Sequence, residues 1–403
     1  MIEMKVVAQP LLKSANPFGE DGFIPFVRPW ISEEAIAEVV DCLRSGWITT
    51  GPRVQKLEEM LRDYCGAPHA LTLSSATAGL FLALKGLNLQ PDDEVITTPM
   101  TFVCTANVIV QAGGKPVFAD IDEKTYNIDI AEIEKAVTPR TRAIIPVHFD
   151  GLPVDLDPLY ALAQKCGLRV IEDAAHAIGA SYKGRPVGSF GDTQVFSFHC
   201  NKNMTTGEGG CVTTRDEDLA HSITLNRFHG IDRAAWNRFG KTGSQHYDVV
   251  EPGYKFNMMD MQAALGLHQL KSLDGFTERK TALVKRYEHF LEGWNEISLP
   301  QKPVYDHKHA WHQFAIRINP EKAGMSRDDF MNAMKERNIG TGLQFLPVHL
   351  YRFYKNTYGY QEGDFPIAEK VGQTIVSLPL FSSMTEDDQD RVIEVMKKIF
   401  GRD

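Results

Sequence analysis

Lys202 is the residue of this sequence with the most evident chemical potential. An apolar run at 194–198 leads towards it, and glycines follow at 207, 209 and 210 before another apolar run begins at Cys211. A lysine at a strand end among apolar neighbours loses hydration, which lowers its pKa and leaves a neutral amine that can attack a carbonyl carbon. A hairpin with an exposed lysine would have a similar sequence, so this stretch alone leaves both interpretations open.

A carboxylate follows a second buried-type run, at 168–171. The run continues into Glu172 and Asp173, and small residues and His176 come next. Enzymes that use pyridoxal phosphate pair an aspartate with the nitrogen of the cofactor ring, which keeps that nitrogen protonated. A lysine and an aspartate at the ends of neighbouring strands suit the two ends of one flat ring, so Lys202 and Asp173 together indicate a pyridoxal phosphate site.

The segment 74–80 has the features of an anion site. It follows a predicted strand at 69–73 and begins a predicted helix with the small residues Ser75, Ala76 and Thr77. The free N–H groups and the positive end of a helix favour an anion, and small side chains let a phosphate approach. A serine that simply caps a buried helix would give the same pattern.

The elements around these residues predict an α/β fold. Between 69 and 171, apolar runs at 69–73, 94–97, 116–119, 143–147 and 168–171 alternate with helical patterns. Strands of this kind form a mainly parallel sheet sandwiched by helices. Ligands of such sheets bind beyond the carboxyl ends of the strands. All of the candidates fall there: Ser75 to Thr77, Thr101 and Phe102, Asp173, and Ser197 to Lys202.

The remaining sequence predicts further helices of the large domain and, after residue 275, a linking helix and a smaller domain. Helices are expected at 31–45 with Ser32 as N-cap, at 260–273, from about 276 to 294, at 326–337 with Ser326 as cap, and at 385–400. Strands are expected at 312–318 and from 340 through 345. We predict an N-terminal arm at 1–22, a large α/β domain at 23–275, and a linking helix with a small C-terminal α+β domain at 276–403.

Composition argues against several classes of partner. Lys and Arg number 43 and Asp and Glu 52, and the resulting net charge of −9 does not favour nucleic acid. The six cysteines form no CxxC pair, which predicts neither a zinc site nor a disulfide framework and fits a reducing compartment. The spacing of His309, His312 and His349 does not suggest a metal site. With no signal-like pattern and no apolar run near the length of a membrane span, we predict a cytoplasmic protein without a membrane partner.

The order of the motifs resembles the DegT/StrS family of sugar aminotransferases, which are fold type I pyridoxal phosphate enzymes. The resemblance runs from Phe23 to the final helix. It rests on four markers: Ser45–Pro52 (SGWITTGP), Glu172–His176 (EDAAH), Ser197–His199 with Lys202 and Asn203, and Gly253–Asn257 (GYKFN).

The resemblance implies a role for each candidate residue. Lys202 would carry the cofactor as a Schiff base and then move the proton as general base, while Asp173 would hold the ring nitrogen. Phe102 would stack on the ring, although a lone aromatic residue is more often part of a core. His176 and His199 would flank the site, with His176 either orienting Asp173 or serving only as a packed histidine.

The resemblance also implies a shared site in a homodimer. Ala76, Thr77 and Ser197 would bind the cofactor phosphate together with Asn257 of the neighbouring subunit. The polar segment 227–249, with Arg227, Arg233, Arg238 and Lys241, is either a solvated loop or a lid that carries positive charge towards a diphosphate.

Glutamate is the implied amino donor, and a keto sugar, normally nucleotide-linked, is the implied acceptor for polysaccharide or lipopolysaccharide biosynthesis. Several segments look most like those of the members that make UDP-4-amino-4-deoxy-L-arabinose. Cys200-Asn201 and 344–347 depart from them, so a transaminase forming 8-amino-3,8-dideoxyoctulosonate stays an alternative. Two alternatives of other classes are a sugar dehydratase, which usually has histidine in place of the lysine, and a cofactor-free Schiff-base lyase.

Overall fold

The computed structural model describes residues 22–232 and 247–402. Two predictions therefore lie outside the described residues. One is the N-terminal arm apart from Gly22, and the other is the part of the 227–249 segment that carries Arg233, Arg238 and Lys241.

The described residues form strands and helices that alternate through the first half of the chain. The strands are β1 His69–Leu73, β2 Glu94–Thr97, β3 Lys115–Phe118, β4 Thr141–Ile145, β5 Arg169–Asp173, β6 Ser181–Tyr182, β7 Arg185–Pro186, β8 Thr193–Ser197, β9 Gly210–Thr214, β10 Ile297–Ser298, β11 His307–Lys308, β12 Phe314–Ile318 and β13 Ile375–Leu378. The helices are α1 Glu33–Ser45, α2 Pro52–Cys65, α3 Ala76–Lys85, α4 Cys104–Gln111, α5 Ile130–Ala136, α6 Leu156–Cys166, α7 Glu217–Asn226, α8 Asp260–Leu291, α9 Pro320–Ala323, α10 Arg327–Lys335, α11 Arg352–Tyr358, α12 Pro366–Thr374 and α13 Glu386–Phe400.

A seven-stranded sheet dominates the described part of the chain. Its order is β1-β9-β8-β5-β4-β2-β3, and β9 is the one strand that runs antiparallel to its neighbours. Strands β2 and β8 are buried along their whole length, as strands covered on both faces must be. The mainly parallel α/β sheet predicted from the alternating pattern is confirmed.

A second core lies towards the C-terminal end. Strands β10, β12 and β13 form an antiparallel sheet. One apolar cluster joins this sheet to the second half of α8 and to α10 and α13, with Tyr287, Phe314, Phe330 and Met396 fully buried in it. The α+β character of this region agrees with the prediction, whereas the domain boundaries at 22/23 and 275/276 stay predictions.

Several helix boundaries follow from local signals that the sequence contains. The side chains of Ser32, Ser326 and Thr385 each accept a hydrogen bond from a backbone N–H in the first turn of their helix. Ser326 and Thr385 also form capping boxes with an aspartate three residues further on. Both serine caps named from the sequence are confirmed.

Two predicted elements differ in the structure. The helices expected at 260–273 and from about 276 are one helix, α8, because its apolar face stays packed through Leu273 and Thr277 despite Gly275. The strand expected from 340 through 345 is not a strand: Ile339 and Gly342 form isolated bridges with Ile24 and Ser377, and the chain then turns away irregularly. None of the described helices combines the length and apolar character that crossing a bilayer requires.

Candidate active site

A cavity of about 530 Å³ lies where five strands of the large sheet end. Chain segments that follow the carboxyl ends of β1, β2, β4, β5 and β8 line it, as expected for a sheet of this class. The lining includes eight of the predicted site residues: Ala76, Thr77, Phe102, Asp173, His176, Ser197, His199 and Lys202. The structure therefore brings together residues that lie up to 126 positions apart in the sequence.

Asp173, the last residue of β5, points its carboxylate into this cavity. Its Oδ2 accepts a hydrogen bond from Thr105 Oγ1 at 2.8 Å, and its Oδ1 accepts one from the Ala175 N–H at 3.2 Å. Burial raises the pKa of Asp173, and these hydrogen bonds and the charge of Lys202 oppose that rise. The carboxylate is thus held in one orientation with capacity to pair with a protonated ring nitrogen.

Glu172 lies next to Asp173 but on the other side of the strand, since successive side chains of a strand alternate. Its carboxylate is satisfied by His148 at 2.8 Å, Tyr160 at 2.6 Å and Gln194 at 2.7 Å, and its side chain is buried. Of the two adjacent acids, only Asp173 lines the cavity.

Lys202 follows β8 in a tight turn. Its N–H donates to the His199 carbonyl at 2.9 Å, and the nearby Thr206 N–H donates to the Phe198 carbonyl at 2.9 Å. Burial lowers the pKa of Lys202 to about 8, although Asp173 attracts the charged form. A substantial fraction of this amine is neutral at mildly alkaline pH, so it can act as a nucleophile.

The first turn of α3 and its cap line the cavity with Ser75, Ala76 and Thr77, where the phosphate is predicted to bind. Ser75 caps the helix by accepting from the Ala78 N–H at 3.1 Å, and the N–H groups of Ala76 and Thr77 precede the first intrahelical bonds. Strand β9 passes so close that a Cβ on Gly210 would lie 2.5 Å from the Ala76 nitrogen. Glycine at 210 is therefore what allows this helix start to sit beside the strand.

His176 is stacked between other rings at the side of the cavity. Its ring centroid lies 4.2 Å from that of His312 and 6.3 Å from that of Phe345, with which it is nearly parallel. Burial, with Lys202 nearby, holds the pKa of His176 well below its ordinary value. Its Nδ1 is buried without a hydrogen-bond partner among the described residues. No hydrogen bond joins His176 to Asp173 among the described residues, so its orienting role stays a prediction.

Phe102, Ser197 and His199 occupy the remaining walls. Phe102 is 57% exposed, which is unusual for a phenylalanine and leaves a ring face open to the cavity. Ser197 ends β8, and its Oγ accepts from the His199 N–H at 3.4 Å. His199 Nδ1 is 2.8 Å from Asn201 Oδ1.

Asn257 does not line the cavity of its own chain. Its Nδ2 donates to Thr50 Oγ1 at 2.6 Å, and its backbone bridges to Leu73. The predicted donation of Asn257 to a neighbouring site stays a prediction. Arg227, the described cation of the predicted lid, does not line the cavity; it pairs with Glu58 and donates to the Thr72 carbonyl at 2.9 Å.

Pyridoxal phosphate fits the residues present. A carboxylate and an amine line one cavity, a phenylalanine offers an open face, and two free N–H groups sit at a helix start. The orphaned Nδ1 of His176 adds an unpaired polar atom. Lys202 would hold the aldehyde carbon, Asp173 the ring nitrogen, and Ala76, Thr77 and Ser197 the phosphate.

Sequence reasoning missed three contributors. Thr105 donates a hydrogen bond to Asp173 and lies 2.8 Å from the hydroxyl of Thr101. Only its position in the first turn of α4 hints at this. His312 was considered only as a metal ligand, but it stacks on His176. The segment 343–346, expected to contain strand residues, instead forms a cavity wall.

Within residues 22–232 and 247–402, no group of three metal-ligating side chains is placed to hold a metal ion. His309 stacks on Trp311 with centroids 3.7 Å apart, and His349 Nε2 lies 3.0 Å from Glu369.

Comparison with known proteins finds a matching family and similar relatives. Residues 29–397 match the model of the DegT/DnrJ/EryC1/StrS aminotransferase family. The chain is 48% identical to the spore coat polysaccharide biosynthesis protein SpsC of Bacillus subtilis, over 94% of this chain and 97% of that protein. It is 43% identical to the UDP-4-amino-4-deoxy-L-arabinose–oxoglutarate aminotransferase of Shewanella sediminis, over 94% and 98%.

Solved structures are similar along almost the whole chain. The PLP form of the putative sugar aminotransferase Spr1654 from Streptococcus pneumoniae matches with a TM-score of 0.86 and 34% identity, over 94% of this chain and 99% of that one. Helicobacter pylori PseC, an aminotransferase of pseudoaminic acid biosynthesis, matches with a TM-score of 0.88 and 28% identity, over 94% and 99%.

Proposed function

Because the chain belongs to the DegT/DnrJ/EryC1/StrS aminotransferase family, whose enzymes depend on pyridoxal phosphate, we propose that it moves the amino group of glutamate to a keto sugar. The proposed acceptor is a nucleotide-linked 4-keto sugar, and the proposed role is the biosynthesis of a cell-surface polysaccharide or lipopolysaccharide. Relatives named for spore coat polysaccharide and for UDP-aminoarabinose support this choice.

The observation that carries the proposal is the shared cavity of Lys202 and Asp173. A sugar dehydratase with histidine in place of the lysine is not favoured, because position 202 is a lysine with a lowered pKa. A cofactor-free lyase is not favoured either, because it would have no use for a buried aspartate and a helix start in the same cavity.

Bound pyridoxal phosphate supplies the electron sink for the exchange of the amino group. The chain supplies the proton transfer. Lys202 Nζ is the group within the cavity whose pKa of about 8 suits both accepting and releasing a proton near neutral pH. Asp173, fixed by Thr105 and Ala175, presents carboxylate oxygens that would accept a hydrogen bond from the protonated ring nitrogen.

Other residues position the bound groups and exclude water from the site. Phe102 lines the site with an apolar ring, and the ring of His176, on which His312 stacks, closes its side. The start of α3 fixes the anionic end by N–H donors and the helix dipole. These contacts set the geometry in which Lys202 reaches the reacting carbon.

Acceptor choice would reside in the wall formed by 343–346 together with Tyr351. This wall includes the segment that departs from the arabinose enzymes, and side chains that line the acceptor pocket decide between sugars that the cofactor machinery treats alike. The wall is therefore where the identity of the sugar is determined.

We further propose a homodimer in which Asn257 reaches the cofactor phosphate of the neighbouring subunit. The proposal is supported by the position of Asn257 outside the cavity of its own chain. A cytoplasmic location stays a prediction; all six cysteines are free thiols, which accords with a reducing compartment.

A panel of acceptors tests the proposed substrate class. The holoenzyme is incubated with glutamate and, separately, with nucleotide-linked 4-keto sugars, an octulosonate aldehyde and pyruvate, and amino products are identified by mass spectrometry. We expect an amino sugar nucleotide as the main product. Amination confined to the octulosonate aldehyde or to pyruvate would overturn the proposed acceptor while leaving the aminotransferase activity in place.

A further inference from the structure

A second, smaller cavity of about 30 Å³ lies beside the active site. We call it the Lys280 cavity, after the lysine that α8 contributes to its wall. Asn201 and Lys202 line both this cavity and the large one. A volume of this size holds one or two species as small as water, and it is too small for a sugar or a cofactor.

Lys280 is a buried lysine without a counter-ion among the described residues. Lys280 is only 5% exposed. Among residues 22–232 and 247–402 its side chain makes no ion pair and no hydrogen bond. A buried ammonium without a partner is costly, because it loses hydration and gains no compensating interaction. The site already described does not use this lysine.

The walls of the Lys280 cavity favour negative charge. Arg28, Lys202 and Lys280 line it, and the described residues contribute no aspartate or glutamate to its lining. Two of its three amide side chains donate elsewhere: Gln269 Nε2 donates to the Trp30 carbonyl at 2.6 Å, and Asn203 Nδ2 donates to the Ala310 carbonyl at 2.9 Å. The ammonium of Lys280 is therefore a buried donor left for a ligand, and the buried Nδ1 of His312 in the same lining also has no hydrogen-bond partner among the described residues.

We propose that the Lys280 cavity binds a small inorganic anion of the size of chloride. The anion would neutralise Lys280 and would lie beside the chain segment that carries Lys202. Neither the amino donor nor the sugar is involved, so this proposal stands or falls independently of the transaminase reaction.

The proposal implies a defined pH dependence. Burial lowers the pKa of Lys280 to about 7. The other charged or titratable groups of the lining are Arg28, Cys200, Lys202 and His312, and His309 lies nearby. Burial holds the pKa values of both imidazoles well below the ordinary value. Below pH 7 Lys280 is already charged when the anion arrives; above pH 7 binding must take up a proton. Anion affinity should therefore fall by about tenfold for each pH unit above 7.

Thermal unfolding of the holoenzyme tests the proposal. The melting temperature is measured in sodium chloride and in sodium gluconate at the same ionic strength, at pH 6.5 and at pH 8.5. When the chloride concentration is about ten times the dissociation constant of the site, chloride should raise the melting temperature by about 1–2 °C at pH 6.5. The rise should be smaller at pH 8.5. In Lys280→Met the chloride increment should vanish. In Lys285→Met, which removes an exposed lysine of the same helix, it should persist.

An increment of equal size in wild-type protein and Lys280→Met, or no increment in wild-type protein, would overturn the proposal. If Lys280→Met does not fold, crystals of the wild-type holoenzyme soaked in bromide decide the question. An anomalous peak in the Lys280 cavity is expected, and bromide only at surface sites contradicts the proposal.

Discussion

At the scale of single residues, the account depends on how Asp173 and Lys202 affect each other. Burial disfavours the charged form of both, which raises the pKa of the carboxyl group and lowers the pKa of the amine. Each opposes the shift of the other, because opposite charges attract. The pKa of Lys202, about 8, therefore lies within the range in which an enzyme exchanges protons.

The first prediction concerns cofactor capture by the apoenzyme. Only the neutral amine of Lys202 attacks the aldehyde, so the capture rate should rise with pH and level off above a midpoint near 8. Stopped-flow absorbance at constant cofactor concentration measures this profile. A rate that keeps rising through pH 10, as for an exposed lysine, would show that the amine is not desolvated.

The second prediction concerns Asp173→Asn. The carboxylate favours the charged form of Lys202, so its removal should lower the pKa of the amine and move the capture midpoint to lower pH. The same stopped-flow profile reports the shift. A midpoint that stays in place or moves upwards means that the two groups do not interact across the cavity.

At the scale of elements, local patterns predicted those parts of the fold whose signals are local. The residues of β1 and β2 coincide with the predicted spans, and Ser32 and Ser326 cap the helices that the sequence assigned to them. Asp173 is predicted at a strand end because the buried-type stretch 168–171 leads into it, and it is the last residue of β5.

Elements shaped by distant contacts were not predictable in the same way. Residues 343–346 leave the bridge at Gly342 to form the cavity wall, and nothing in their order signals this. The stacking of His312 on His176 joins positions that are far apart in the chain. The sequence therefore predicts the site residues at the strand ends. The side wall of the cavity depends on how the C-terminal region packs and is not predictable from local patterns.

The third prediction concerns the junction of β9 and α3. In Gly210→Ala the added Cβ would lie 2.5 Å from the Ala76 nitrogen and 2.6 Å from the Ser75 carbonyl carbon, so the helix start must shift. We expect cofactor affinity to fall at least about tenfold, which corresponds to about 1.4 kcal/mol. Fluorescence titration of the apoenzyme measures it, with Gly275→Ala as a remote control. Unchanged affinity would show that this helix start does not hold the phosphate.

The fourth prediction concerns the continuity of α8. Gly275 lies within this helix, and a Cβ there would meet no atom within 4 Å. Gly275→Ala should therefore stabilise the protein by about 1 kcal/mol, because alanine has the higher helix propensity. At Gly266 of the same helix a Cβ would lie 2.8 Å from Leu57 Cδ2, and Gly266→Ala should destabilise. Thermal unfolding compares the two, and loss of stability in Gly275→Ala would indicate two helices.

At the scale of the whole molecule, the proposed homodimer would build each active site from two chains. Asn257 is half-buried, donates to Thr50 and does not line the cavity of its own chain. In a twofold dimer, such a residue can complete the site of its partner.

The fifth prediction tests this sharing by mixing two inactive variants, Lys202→Ala and Asn257→Asp. A hybrid dimer would contain one site with both defects and one intact site, so re-association of equal amounts should restore about a quarter of the wild-type rate. If Asn257 served its own subunit, no site would be intact and mixing would restore nothing. Size-exclusion chromatography with light scattering verifies that hybrids form.

The central claim is that Lys202 performs an amino transfer from glutamate with pyridoxal phosphate held against Asp173. Its most direct test is a single half-reaction of the purified holoenzyme with glutamate, without any acceptor. We predict one equivalent of 2-oxoglutarate per site together with loss of the visible absorbance of the bound cofactor, and neither in Lys202→Ala. A wild-type holoenzyme that releases no 2-oxoglutarate, or a Lys202→Ala variant that releases as much, would contradict the account.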